Sequence, residues 1–425
     1  MRFSEALARL DARQPEHMPE PSLDRIRAIA ELLDDPQLTY PSIHVTGTNG
    51  KTTAARVAAS VACAHGITTG LFTSPHLLSV TERLSVCGQD IGEGEFADEW
   101  EHLEPFLQIV DDGAPVAVTY FEAVTALAYL WFADKPVGLG VFEVGMGGSW
   151  DATNLVDGEV AVVTPIGMDH VAELGPTLAD IAGEKAGILK EGGTAVLREQ
   201  DRVAADVLAR RAAEVGSAPR WEGTDWEVEE RLLAVGGQSF RLRGLHETYE
   251  DLFLPMFGLY AVHNAAAGIV AVEAITGQAL HIDTLREGLA AVRSPGRLEV
   301  VGHEPLIILD GAHNPAGAQA LVEAMRESFR WERLHLVVAI SANKDLAGIA
   351  QALAPIVDHV VVTNNDSARS ADPSDIAAAF GGDAERASSV ADALAIARRA
   401  AGPDDVVLVT GSLFTVADAT RALRG

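Results

Sequence analysis

Ile43-His44-Val45-Thr46-Gly47-Thr48-Asn49-Gly50-Lys51-Thr52-Thr53 decides the fold class of this chain. A short apolar run ends in a glycine-rich turn, and helical periodicity then runs from Thr53 to His65 and stops at Gly66. That order reads as strand, anion-binding turn and helix. The glycines let backbone N–H groups converge on an anion, and the helix N-terminus adds positive potential. Gly47, Thr48, Asn49, Gly50, Lys51, Thr52 and Thr53 are therefore the candidate nucleotide contacts, with Lys51 on phosphate and the Thr52 hydroxyl on Mg²⁺. The fit to the P-loop pattern is incomplete, because its first glycine position is held by Val45.

Outward from this stretch the pattern repeats. Strands are expected at Thr69–Phe72, Val137–Val144, Val160–Pro165 and Thr194–Leu197, with helices at Phe121–Phe132 and Leu178–Leu189. From Trp221 to Leu254 the residues alternate as in β-hairpins, and Tyr260–Ile275 resumes a helix. The pattern breaks at Arg293-Ser294-Pro295-Gly296 and restarts, with strands at Leu334–Ile340, His359–Val362 and Val406–Val409. Alternating strands and helices mean βαβ units and a parallel sheet. The expected architecture is α/β: a P-loop-type, mostly parallel ATPase domain over 1–295, then a smaller Rossmann-like domain over 296–425.

Composition narrows the function. The chain has 425 residues and a net charge of −29, which repels nucleic acid and anionic lipid over most of its surface. Any phosphate it binds needs a local device. Only five residues are lysine (Lys51, Lys135, Lys185, Lys190 and Lys344), against 27 arginines, so each lysine invites the question of why it is not arginine. Lys135 and Lys190 read as ordinary surface positions. Cys63 and Cys87 lack the number and spacing for a disulfide framework or a metal site, and Cys63 reads as a small buried residue. No signal-peptide core and no 18-residue apolar span are legible, so the expectation is a cytoplasmic protein in a reducing compartment.

Further motifs sit at strand ends. Glu143-Val144-Gly145-Met146-Gly147-Gly148 closes an apolar run with a carboxylate suited to a metal, although a plain glycine turn fits too. Asp169-His170 suits a divalent metal or a surface loop. Lys185, flanked by apolar residues in Glu184-Lys185-Ala186-Gly187-Ile188, is either a snorkelling lysine or a buried one that must be paired, neutral or modified. In the second domain, Asp310-Gly311-Ala312-His313-Asn314-Pro315 and Thr410-Gly411-Ser412-Leu413 are strand-end turns, and Arg297 offers a bidentate guanidinium. Turns from both domains are expected to face one cleft.

Taken in order, these motifs, with Thr73-Ser74-Pro75-His76-Leu77, Glu82-Arg83-Leu84, EVGMGGSWDATN from Glu143 to Asn154, Gly167 to Lys190 and His263-Asn264-Ala265, resemble bacterial folylpolyglutamate synthase/dihydrofolate synthase of the Mur ligase superfamily. The resemblance implies an ATP-dependent amide ligase joining L-glutamate to dihydropteroate or a reduced folate through an acyl phosphate, releasing ADP and phosphate. It implies two Mg²⁺ ions, one on Thr52, Ser74 and Glu143, the other on His170 and a carbamylated Lys185. It makes Lys51, His170, Lys185 and His313 catalytic, and Asn264, Arg297 and Asp310 contacts for ATP. Substrate contacts are implied at Ser74, Pro75, His76, Arg83, Phe121, Asp151, His313, Lys344 and Ser412. Phe121 suits a core position equally, and Lys344 a surface pair with Asp345. A monomer is implied.

Two rival functions are weaker. A ligase acting on nucleotide-linked muramyl substrates is expected to carry a further N-terminal domain, and the phosphate turn already begins at residue 46. A GTPase switch needs Asn-Lys-x-Asp, and Asn343-Lys344-Asp345-Leu346 places the acid one position early.

Overall fold

The computed structural model describes residues 1–15 and 21–424. The chain forms two compact units, one comprising Met1–Leu232, Ser239–Leu254 and His263–Val292, the other Leu233–Gln238, Pro255–Val262 and Arg293–Gly425. The second unit thus begins at Arg293 but also takes in two earlier stretches.

The first unit is built on an eight-stranded sheet. Its centre is Ser42–Thr46, paired in parallel with Leu139–Glu143 on one side and Val160–Val163 on the other. All three strands are wholly buried, which explains why they read as unbroken apolar runs and not as alternating ones. Thr69–Phe72 and Thr194–Leu197 extend the sheet in parallel, and an antiparallel ribbon, Leu84–Val86 with Gln89–Asp90, closes one edge. Parallel pairing sends the turns after Thr46, Glu143 and Val163 out at the same end of the sheet, at three adjacent positions. On one face Phe72, Tyr129, Phe132 and Phe142 pack with ring centroids 5.4–6.2 Å apart.

The phosphate-turn helix runs Lys51–Ala64, two residues earlier than its periodicity suggested, with Gly50 as its cap at φ +92°. A side chain at Gly50 would collide with the Asn264 amide 2.2 Å away, so position 50 requires glycine for both reasons. The helix Glu93–Gly113 was not expected; its interior Pro105 is a poor helix signal.

The second unit holds a six-stranded sheet in the order Glu299–His303, Leu306–Leu309, Val406–Thr410, Leu334–Val338, His359–Val362, Glu385–Arg386, parallel except for its first strand. Leu309 and Val409 are register partners, so Asp310 and Thr410 emerge side by side.

Three sequence readings need correction. Leu259–Thr276 is an 18-residue helix apolar enough to cross a bilayer, where no such span was expected. It is a core helix: its Glu273 is fully buried and accepts from Tyr249 Oη at 2.7 Å, and hydropathy alone does not separate the two cases. Lys190 is no surface lysine, since its Nζ donates to the Asn154 carbonyl at 2.9 Å and burial lowers its pKa. Finally, Cys63 is only half-buried and is joined to the exposed Cys87 in a disulfide with Cα atoms 5.6 Å apart. Parallel pairing of Thr69–Phe72, and the ribbon's return beside it, bring together cysteines 24 positions apart.

Closing a loop of that length stabilises by roughly 3 kcal/mol in the chain-entropy description. Cys63→Ala should therefore lower the unfolding free energy by about that amount in denaturant titrations. Thiol labelling of the unfolded, unreduced chain should find no free cysteine.

Candidate active site

In the first unit the central strand ends bring five expected residues together. Thr52 Oγ1 donates to Glu143 Oε1 at 2.7 Å, and the Ser74 backbone N–H approaches Glu143 Oε2 at 3.3 Å. Glu143 is 2% exposed, so an acidic oxygen pair, a hydroxyl and the start of the Ser74 loop share one dry spot. Lys51 Nζ curls back onto the carbonyls of Gly47 and Thr48 at 3.1 and 3.3 Å. Lys185 Nζ donates to the same Gly47 carbonyl at 2.8 Å. Two lysine amines thus meet on one peptide group.

Lys185 is 4% exposed. Burial, reinforced by the neighbouring Lys51 charge, lowers its pKa to about 7, against the opposing pull of Asp169 and Asp151. The snorkelling alternative is excluded, because the amine lies inside. His170 takes a left-handed backbone conformation (φ +50°), its N–H capped by Asp169 Oδ1 at 2.9 Å. Asp169 thus both sets the His170 backbone and acts on the Lys185 charge.

The glycines after Glu143 have an unexpected reason. A Cβ on Gly148 would lie 2.7 Å from the Glu184 carbonyl, and one on Gly187 would strike the Ser149 hydroxyl. Small residues on both sides let the 147–149 turn lie directly on the helix end that carries Lys185, and Asn154 Nδ2 donates to Ser149 and Gly187 carbonyls across the contact.

Phe121 lies over Gly145, where a Cβ would come within 2.6 Å of its ring. Asp151 is 3% exposed; it accepts from Thr153 at Oδ1 and from the Met146 N–H at Oδ2, 2.9 Å. Burial raises its pKa. Phe121 and Asp151 therefore flank the same 145–146 turn. Arg83, 3% exposed, donates from Nε to His76 Nδ1 at 2.9 Å, with its guanidinium 5.3 Å from the centroid of the Tyr120 ring. Glu82 gathers the N–H groups of Leu77, Leu78 and Ser79 at 2.8–3.0 Å, giving the Ser74–Arg83 loop one shape.

Two site residues escaped the sequence reading. Arg198, 8% exposed, donates from Nη1 to Asn264 Oδ1 at 2.7 Å and from Nε to Glu222 at 2.8 Å. An arginine can only donate, so the Asn264 carbonyl oxygen must face it and the Nδ2 amino group must face Gly50. Burial alone would raise Glu222, but the His263 hydrogen bond and the Arg198 charge pull it down to about 2. Arg198 follows the strand Thr194–Leu197 and Glu222 follows Ala218–Trp221, so strand-end position was the available signal.

In the second unit Asp310 Oδ1 and Oδ2 hold the N–H groups of Ala312 and Leu298, both at 2.8 Å, and burial raises its pKa. The Arg297 guanidinium lies against Gly311, 2.7 Å from where a Cβ would be. His313 Nδ1 pairs with the Gly311 carbonyl at 2.8 Å, which makes Nε2 the acceptor nitrogen of the neutral ring. Ser412, 6% exposed, accepts from the Phe414 N–H at 3.2 Å. Asp345 caps the helix Leu346–Leu353, a structural job for one half of the Lys344-Asp345 pair.

The chain as a whole has counterparts among known proteins. Residues 45–272 match the Mur ligase middle domain and residues 296–413 the Mur ligase glutamate ligase domain. A dihydrofolate synthase/folylpolyglutamate synthase of Mycobacterium tuberculosis is 41% identical, covering 98% of this chain and 92% of its own. The chain belongs to the dihydrofolate synthase/folylpolyglutamate synthase family of Mur ligases. A solved structure of Mycobacterium tuberculosis folylpolyglutamate synthase complexed with ADP superimposes with a TM-score of 0.95 at 40% identity, over 99% of this chain and 98% of that one. Escherichia coli FolC in complex with DHPP and ADP does so with a TM-score of 0.88 at 30% identity, over 100% and 98%.

Within this family member, Arg198→Gln should release the Asn264 amide from its fixed orientation. A lost charge-assisted hydrogen bond predicts about a tenfold weaker ADP affinity by calorimetry. Unchanged affinity would reduce the Arg198–Asn264 contact to packing.

Proposed function

We propose that this chain is an ATP-dependent ligase that joins L-glutamate to dihydropteroate, to reduced folates, or to both. The observation that carries the reading is the meeting of Lys51, Thr52, Glu143 and Lys185 around the Gly47–Lys51 turn. Family membership and the ADP- and DHPP-bound relatives support it.

The chemistry follows from the poor reactivity of a carboxylate toward an amine. The pteroate or folate carboxylate oxygen attacks the γ-phosphorus of ATP, the bond to ADP breaks, and an acyl phosphate forms. The glutamate nitrogen then attacks the acyl carbon, phosphate leaves, and the nitrogen gives up a proton. Lys51 and the N–H groups at the head of its helix hold the phosphates. Thr52, Ser74 and Glu143 offer hard oxygen donors that fit Mg²⁺, and His170 with a carbamylated Lys185 would hold a second ion. When bound, such ions screen the repulsion between the anionic reactants. Asn264, Arg297 and Asp310 serve the nucleotide, and each carboxylate oxygen of Asp310 keeps a lone pair for a ribose hydroxyl. Phe121 and Asp151 serve the pteridine, with His76, Arg83 and Pro75 in the loop beside them. His313, Ser412 and Lys344 serve glutamate and the transferred phosphate. The enzyme acts as a cytoplasmic monomer in this reading, and its Cys63–Cys87 disulfide departs from the reduced cysteines expected in that compartment.

Carbamylation of Lys185 has support in the amine itself. Only the neutral amine can attack CO₂, and a pKa of about 7 leaves much of it neutral at physiological pH. The nitrogen bonds to the CO₂ carbon and loses a proton, and a buried cation becomes an anionic oxygen ligand. Arginine, always charged, could not do this.

The decisive assay is phosphate release with glutamate and either dihydropteroate or tetrahydrofolate; release independent of glutamate and pteridine would overturn the ligase reading. Lys185→Arg should lower kcat by about 100-fold or more while Tm holds within a few degrees, ligand loss at such metal sites costing on that order. Loss of one stacking contact in Phe121→Ala should raise the pteridine KM by roughly threefold to tenfold and leave the ATP KM unchanged.

A further inference from the structure

At the far end of the second sheet from the Asp310 and Ser412 turns, two histidines face each other. His335 is the second residue of the buried strand Leu334–Val338, His359 begins His359–Val362, and the two are register partners. Partners on parallel strands project to the same face of a sheet. Their Nδ1 atoms are 3.2 Å apart, with the rings nearly perpendicular at 81°. His335 is 2% exposed, whereas the His359 side chain is 31% exposed.

The outer nitrogens decide what this contact means. His335 Nε2 lies 3.3 Å from Asp405 Oδ2, and His359 Nε2 lies 3.3 Å from Glu385 Oε2. A carboxylate can only accept, so each Nε2 carries its ring's proton. With both outer nitrogens on carboxylates, the two inner Nδ1 atoms are left facing each other. Two nitrogen lone pairs at that distance repel unless a proton or a metal ion lies between them. Asp405 is itself fixed by the N–H groups of Gly402 and Arg333 and by the Arg333 guanidinium at 3.1 Å. Asp358, one residue before His359, is held by the Leu334 N–H. Asp405, Glu385 and Asp358 thus set three carboxylates around the pair, with Arg333 on the first of them.

We propose that the Nδ1 atoms of His335 and His359 bind one divalent transition ion of the Zn²⁺, Ni²⁺ or Cu²⁺ class. Two imidazole nitrogens each about 2.0–2.1 Å from a tetrahedral ion lie about 3.3 Å apart, close to the separation found. Carboxylates on the outer nitrogens are the usual arrangement behind metal-bound histidine, because they fix the tautomer and orient the ring. Imidazole pairs suit this class of ion and not Mg²⁺, so the site is chemically separate from the oxygen donors around Thr52 and Glu143. The partly exposed His359 puts the pair at the protein surface on that side. Bound there, the ion ties the first turns of two strands and stabilises the native state by mass action.

The test uses the full chain, stripped of metal with a chelator and titrated with Zn²⁺ in the presence of Mg²⁺ and ADP. One ion should bind with micromolar affinity and raise Tm, and long-range ¹H–¹⁵N spectra should show both Nδ1 resonances shifting while both Nε2 protons persist. His359→Gln, at a half-exposed position, should fold, keep its ligase activity and lose this binding by at least about tenfold. Absence of micromolar Zn²⁺ binding, equal binding by His359→Gln, or spectra showing a single proton shared between the two Nδ1 atoms and unmoved by Zn²⁺ would overturn the proposal.

Discussion

The parallel pairing of Ser42–Thr46 with Leu139–Glu143 is the constraint on which the site depends. In that register Val45 stands opposite Glu143, so the phosphate turn begins as the carboxylate's strand ends. The 2.7 Å hydrogen bond from Thr52 to Glu143 is then a consequence of strand alignment. On the other side, Thr46 pairs with Val163, which delivers the Thr164–His170 segment to the same end. A slip of one residue would turn every side chain of the central strand to the opposite face and separate the hydroxyl from the carboxylate.

Electrostatics takes the same local form. With a net charge of −29, the protein surface does not draw in ATP or a polyanionic folate by its overall field. In the proposed reading attraction is concentrated at Lys51 and the adjacent helix N-terminus, where reduced solvent screening makes charge count for more than it would in water. Burial, together with the crowding of two lysines on the Gly47 carbonyl, has a cost, visible in the lowered pKa of Lys185. The same cost makes the amine reactive, a property that a solvated lysine at its usual pKa would lack.

Close packing of backbone explains the glycines better than phosphate contact does. Gly148 and Gly187 permit one turn to lie on one helix end, and that contact positions Lys185. The Asp151 and Glu82 carboxylates work in a related way, collecting N–H groups so that the loops around them have a single shape. Polar side chains here organise backbone as much as they meet ligands.

What the sequence determined by itself was the class of fold and the short-range motifs. Buried parallel strands are unbroken apolar runs, and an anion-binding turn needs glycine and lysine at fixed spacing, so both leave a local trace. Helix boundaries shifted by a few residues, and the Glu93–Gly113 helix was hidden by Pro105. Only the tertiary structure decided the pairs that join distant segments: Arg198 with Asn264, His335 with His359, Cys63 with Cys87. It also showed that the apolar Leu259–Thr276 helix belongs to a core, and that Lys190 is tied to the Asn154 carbonyl. The physical reason is common to all of these. Hydrophobic periodicity and turn chemistry act over a few residues, whereas these contacts depend on which strands become neighbours, and strand order is set by packing across the whole sheet.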